Sequence, residues 1–195
     1  CGTMVQPYID CALALRENGV RTGDIEKIVC GVGEGTVHRL WEPLALKQRP
    51  PTAYAAKFST PYCMAVAFID GEAGLAQFTD AKIREAAVLE LAARISHEID
   101  PANEYPRNYT GHLRATLRDG TVIELRQPHL RGGSRAPLSR AELTRKFMSN
   151  AAFGGWSREG AEALLDVGVS LPGLRALDIL RTVSAGREEK QHARA

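Results

Sequence analysis

Lys57-Phe58-Ser59-Thr60-Pro61-Tyr62-Cys63-Met64-Ala65-Val66-Ala67-Phe68-Ile69-Asp70-Gly71 is the stretch on which the fold turns. It reads as a short helix over 61–70. Ser59 or Thr60 can cap it, because a hydroxyl there accepts from backbone N–H groups that have no helical partner. Pro61 suits the first helical position, where its missing N–H removes nothing. Asp70-Gly71 gives a stop, with Gly71 free to take positive φ. Between these marks nearly every residue is apolar, and Cys63, Ala65 and Ala67 are small. Such a helix is buried and packs closely on its neighbours. Its front end is different. Lys57, Ser59, Thr60 and Tyr62 crowd polar groups around a helix N-terminus, a natural seat for a carboxylate or phosphate. A plainer reading stands beside it: Ser59 and Thr60 cap, Tyr62 packs and Lys57 is solvated.

Outward from this helix, residues 7–18 predict a helix with Pro7 in its first turn, ended by Asn18-Gly19. Ile25 to Val32 is β-rich and predicts a strand, with Gly31, Gly33 and Gly35 loosening its exit. Residues 38–47 are ambiguous and fit a short helix through Leu40, Trp41 and Leu44. Pro50-Pro51 breaks the chain, and a loop leads on to residue 61. After it, Thr79 caps a helical stretch over 80–93, with Ile83, Ala86, Ala87, Leu89 and Leu91 on one face. Ile95 to Ile99 alternates as a half-buried strand. His112 to Arg118 and Thr121 to Arg126 flank Asp119-Gly120, which predicts a hairpin with a two-residue type I′ turn.

Beyond the hairpin the signals are helical. Ser139 and Glu142 form a capping box, and that helix ends near Gly154-Gly155. Ser157 caps 158–167, and Pro172 starts a last helix. The order is helix, strand, helix, helix, strand, hairpin, then helices. That order argues an α+β fold with a small mixed or antiparallel sheet. The expected divisions are an α+β domain over 1–136, a C-terminal helical segment over 137–186 and a frayed tail over 187–195.

Composition narrows the function. The 25 basic and 23 acidic residues nearly cancel to a formal charge of +2, which implies no general nucleic-acid or membrane surface. Apolar runs are far short of the roughly 20 residues that span a bilayer. The four cysteines, at 1, 11, 30 and 63, form no CxxC pair, so no zinc ribbon or thioredoxin-type site is expected and a reducing, cytoplasmic setting fits. Cys11 and Cys63 fall in apolar helical patterns as buried thiols.

Other motifs are weak. Gly31-Val32-Gly33-Glu34-Gly35 follows a strand, but Thr36 stands where a dinucleotide loop needs its third glycine, no strong helix follows, and Glu34 repels phosphate. The five histidines show no metal-ligand spacing, and no nucleophile elbow exists. Arg126, Arg131 and Arg135 around Gly132-Gly133 read first as a solvated loop and second as a carboxylate holder. Lys146 reads as an exposed or snorkelling lysine.

The motifs together resemble one family. Cys1-Gly2-Thr3-Met4-Val5-Gln6-Pro7-Tyr8-Ile9-Asp10-Cys11-Ala12, followed by the 57–71 stretch, Gln77-Phe78-Thr79-Asp80, the Asp119-Gly120 hairpin, and Gly133 to Pro137-Leu138-Ser139 with Lys146-Phe147, is similar to the MmgE/PrpD family. The family includes 2-methylcitrate dehydratase, cis-aconitate decarboxylase and iminodisuccinate epimerase. The resemblance implies the C-terminal portion of a longer protein: an α+β domain whose last helices rejoin a missing N-terminal all-helical domain. It implies a homodimer and a hydro-lyase acting on 2-methylcitrate or a similar small polycarboxylate, with no metal or organic cofactor.

The same resemblance implies site residues. Tyr62 takes a catalytic role, in substrate hydrogen bonding or proton donation. Lys57 and Ser59 bind carboxylate, and Gln6 orients substrate where relatives carry a polar Gln or His. None of these is a sufficient base alone at neutral pH, so the base is expected upstream of residue 1 and the 195 residues alone are expected to be inactive. Two alternatives stand beside this reading. One is a decarboxylase or epimerase of the same family; the other is a non-catalytic α+β domain that binds a small acid or a partner.

Overall fold

In a computed structural model, residues 1–170 of the chain are described. They belong to two compact units, Cys1–Leu138 and a second that begins at Ser139. The first is built on a four-stranded mixed sheet of order β2-β1-β3-β4. Its strands are β1 (Ile25–Val32), β2 (Ile95–Ile99), β3 (Gly111–Leu117) and β4 (Val122–Gln127). Strands β1 and β2 are parallel; the other pairs are antiparallel. A parallel pair needs a long crossover. Here the crossover carries α2 (Glu34–Leu40), α3 (Leu44–Gln48), α4 (Ala53–Ala56), α5 (Thr60–Asp70) and α6 (Ala86–Ala92). Helix α1 (Gln6–Glu17) precedes the sheet.

Side chains alternate across a strand, and the sheet uses its two faces differently. Ile28, Cys30 and Val32 of β1, Ile95 of β2 and Leu113 and Ala115 of β3 are buried in the common core with α1 and α5. On the other face Arg114 of β3 reaches across β1 to Glu98 of β2 at 2.6 Å. His112 Nε2 meets Glu124 at 2.9 Å. Nine of the eleven residues of α5 are buried. Its Met64 sulfur lies 3.6 Å from Cys30 Sγ, which fixes the helix over the central strand. Full burial of a Met or Phe side chain stabilises by about 1.5–3 kcal/mol, so Met64 and Phe68 anchor this helix strongly.

Helices α1 and α5 run parallel. At their starts Gly2 N–H donates to the Lys57 carbonyl at 3.2 Å. At their ends Arg16 donates to the Phe68 carbonyl at 2.7 Å and also to the Ile69 carbonyl. A cation is favoured at a helix C-terminus, where carbonyls lack partners. Gly71 closes α5 at φ 80°.

Several expectations are corrected. The ambiguous 38–47 segment is two helices, α2 and α3, separated by Pro43. Thus a helix does follow the glycine-rich exit of β1, though it spans only seven residues. Those glycines serve contact: a Cβ at Gly33 would sit 2.7 Å from Asn103 Oδ1, and one at Gly35 2.8 Å from the Tyr105 ring. The loop read before residue 61 contains α4, capped by Thr52. The 80–93 helix breaks at Glu85, whose extended backbone separates a 3-10 turn at Lys82–Arg84 from α6. Its buried residues are Ile83, Val88, Leu91 and Ala92, while Ala86 and Ala87 are exposed.

The hairpin loop is also one residue longer than a type I′ turn. Gly120 N–H donates to the Leu117 carbonyl, Leu117 N–H donates to the Thr121 carbonyl, and only Gly120 has positive φ. A type I′ turn needs positive φ at both central residues; a three-residue loop needs it at the last alone.

The second unit starts with α7 (Arg140–Phe153), capped by the Ser139–Glu142 box as expected, and continues with α8 (Arg158–Ser170). The helix expected from Pro172 and the tail over 187–195 lie outside the described residues.

Gly111 shows how tightly α1 sits on the sheet. A Cβ there would lie 2.4 Å from the Pro7 carbonyl oxygen and 3.1 Å from Cys11 Sγ. Overpacking of this kind typically costs about 1–3 kcal/mol. Gly111→Ala is therefore expected to lower the unfolding free energy measured in urea by that amount or more, while an exposed Lys27→Ala variant leaves it near wild type.

Candidate functional site

The start of α5 is held by a small polar cluster. Ser59 is fully buried and caps the helix, its Oγ accepting from Tyr62 N–H at 3.1 Å. Its own proton goes to the Lys47 carbonyl of α3. A hydroxyl has one proton, so in this arrangement Ser59 has none to give a ligand. Lys47 closes the cluster from the other side. Its ammonium donates to the Phe58 carbonyl at 2.9 Å and to the Arg39 carbonyl at the end of α2. Burial pushes the Lys47 ammonium below the ordinary lysine pKa.

Tyr62 is fully buried and points its hydroxyl elsewhere. Its O–H donates to the Gln77 carbonyl at 2.6 Å. Burial pushes the phenol pKa up, and Cys63, Asp70 and Glu85 add to the shift. Gln77 is fixed in turn: its Nε2 donates to Asp70 at 3.0 Å and its Oε1 accepts from Gly74 N–H at 2.9 Å. Lys82 bridges Asp70 at 2.8 Å and Glu85 at 2.6 Å. The phenol thus belongs to a network that ties the segment after α5 back onto the helix.

Of the residues expected in the site, Lys57 and Ser59 share the start of α5, and the segment that opens α1 at Gln6 lies against Lys57 through the Gly2 bond. The Tyr62 side chain leaves this group for Gln77. Lys57 is half-buried and makes no ion pair among the described residues. Sequence reasoning missed Lys47. The available signal was charge: over 38–58, Arg39, Lys47, Arg49 and Lys57 face a single carboxylate, Glu42, for a net of +3.

The other candidates are absorbed by the fold. Arg131 pairs with Asp10 at 3.0 Å and Arg126 with Glu124 at 3.0 Å. His97 packs its ring 5.1 Å from Trp41. Lys146 is exposed. Cys11 and Cys63 are buried as expected, and burial pushes each thiol up to about 12; such thiols are inert. Among the described residues no three His, Cys, Asp or Glu side chains converge as metal ligands would. No helix there is long and apolar enough to cross a membrane.

A mixed four-stranded sheet, covered on one face by a parallel helix pair with polar groups gathered at the starts, defines a small α+β domain of a specific kind. Residues 1–167 match the family model of the MmgE/PrpD C-terminal domain, and the chain belongs to that family. It is also similar to cis-aconitate decarboxylase of Homo sapiens, 27% identical over 139 residues, covering 70% of this chain and 28% of the relative. The Mus musculus protein of the same name is 27% identical over 146 residues, covering 74% of this chain and 30% of the relative. The chain thus spans less than a third of the curated relatives it matches.

The cluster makes two stability predictions. Ser59→Ala removes both the cap and the tie to α3, and is expected to cost about 1–2 kcal/mol. Tyr62→Phe leaves the Gln77 carbonyl without its donor, and is expected to cost about 1–3 kcal/mol. Urea unfolding of the chain checks both.

Proposed function

We propose that this chain is the C-terminal domain of a cofactor-independent lyase acting on a small polycarboxylate. The observation that carries the reading is the parallel pairing of α1 and α5, which sets the opening of α1 and Lys57 side by side at the positive ends of two helices. Fixed positive potential at such a place favours carboxylate binding and the enediolate-like charge that forms when a proton α to a carboxylate is removed. Family membership supports the same chemistry.

In this reading Lys57 binds a substrate carboxylate and Gln6 orients it. Ser59 contributes by holding the helix start on α3. Tyr62 hydrogen-bonds to, or protonates, the departing oxygen, and for that its O–H exchanges the Gln77 carbonyl for a substrate oxygen. The base that removes the α-proton is assigned to the part of the protein outside these residues, because none of the four can act as the sole base at neutral pH. In dehydration the C–H electron pair forms the new double bond, and the β-hydroxyl leaves as water with the donated proton. The protein is further proposed to work as a cytoplasmic homodimer.

Similarity to two cis-aconitate decarboxylases favours a second reading in the same class, loss of carbon dioxide from cis-aconitate. Product analysis separates the two. The complete protein is incubated with 2-methylcitrate, citrate, cis-aconitate and iminodisuccinate and followed by NMR and carbon dioxide release. Water loss from a hydroxy acid supports the dehydratase, carbon dioxide from cis-aconitate the decarboxylase, and no turnover of any of them overturns the proposal. With the substrate so found, Tyr62→Phe and Lys57→Met are each expected to lower kcat/KM by about tenfold or more. An unchanged value removes that residue from the site.

A further inference from the structure

We infer that Lys47 is a second cationic contact for the substrate carboxylates, supplied by α3 to the start of α5. The inference rests on the proposed polycarboxylate site and adds a residue that the family motifs do not mark. An ammonium has three N–H donors. Two of those of Lys47 are committed to main-chain carbonyls, at Phe58 and Arg39. Neither acceptor carries a formal charge, and no carboxylate lies within ion-pair distance among the described residues. The lysine therefore keeps one N–H and its whole charge for an external anion.

Three further observations agree. The ammonium is fixed rather than mobile: α3 is tied at both ends of the residue, by the Ser59 hydroxyl on its carbonyl and by Phe58 under its Nζ. A pre-positioned cation loses little conformational entropy on binding, which is what makes it a strong contact. The region is uncompensated, with Arg39, Arg49 and Lys57 also outside any ion pair among the described residues and only Glu42 opposing them over 38–58. Thr60, fully buried in the first residue of α5, has a hydroxyl with no hydrogen-bond partner. Cations gathered at a positive helix end repel one another, and a di- or tricarboxylate relieves that repulsion. Partial burial, which pushes the Lys47 ammonium toward its neutral form, is offset when an anion binds beside it.

Two measurements test this on the full chain. The first needs no variant. Trace acetic anhydride labels lysines while citrate or cis-aconitate is titrated in, and mass spectrometry reads each site. At a ligand concentration about ten times the dissociation constant, occupancy is expected to slow labelling of Lys47 about tenfold, with exposed Lys27 and Lys146 unchanged. The second compares calorimetric affinity for citrate. Lys47→Met is expected to weaken it about tenfold or more, as loss of a charge-assisted hydrogen bond does, and Lys47→Arg to restore most of it. Citrate binding that depends on Lys57 but leaves Lys47 labelling and Lys47→Met affinity untouched overturns the role of Lys47 and spares the site. Absence of binding by either acid overturns both.

Discussion

Helix α5 has almost no polar face, and the rest of the domain is arranged around that constraint. A helix with nine of eleven residues buried needs neighbours on every side. It finds β1 beneath it through Cys30, α1 beside it, α6 against it and α3 at its front. Buried helix ends are the hard part, because four N–H groups lack helical partners at the start and four carbonyls at the finish. Ser59 and Gly71 answer locally. Arg16 answers from another element at the C-terminal end, donating to the last carbonyls of α5, while Lys47 donates to the Phe58 carbonyl just before the helix begins. The polar groups at the front are therefore structural before they are functional, and any ligand there uses a cluster that the fold already requires.

This double use sharpens what the two readings of the 57–71 stretch mean. The cap and the anion seat are not alternatives in space. Ser59 is consumed by the cap, Tyr62 by the segment after the helix, and Lys57 and Lys47 retain charge without a counter-ion among the described residues. The cap at Ser59 thus holds whether or not Lys57 and Lys47 meet an anion.

Much of this was legible in the residues. Strands β1 and β2 followed from β-branched runs with clear ends, and α5 from its cap, its proline and its glycine. The hairpin strands were legible, but Asp119-Gly120 fits two loop geometries, and only the backbone angle of Asp119 distinguishes them. The break at Glu85 was hidden because Ala86 and Ala87 count as apolar yet are too small to define a face. Lys47 was marked only by the local excess of positive charge, for a deeper reason. Its partners are the carbonyls of Arg39 and Phe58, and main-chain acceptors leave no mark in a pattern of side chains.

The Arg16 contact has a mechanical side. One guanidinium gripping the last carbonyls of α5, with the Gly2 bond at the other end, welds α1 and α5 into a single beam. These contacts fix the register of α1 against α5, and with it the spacing of the openings at Gln6 and Lys57. Gly111, with no side chain under Pro7, gives that beam a smooth seat on the sheet. The spacing of the two helix starts is thus set at their far ends as well as at their near ones.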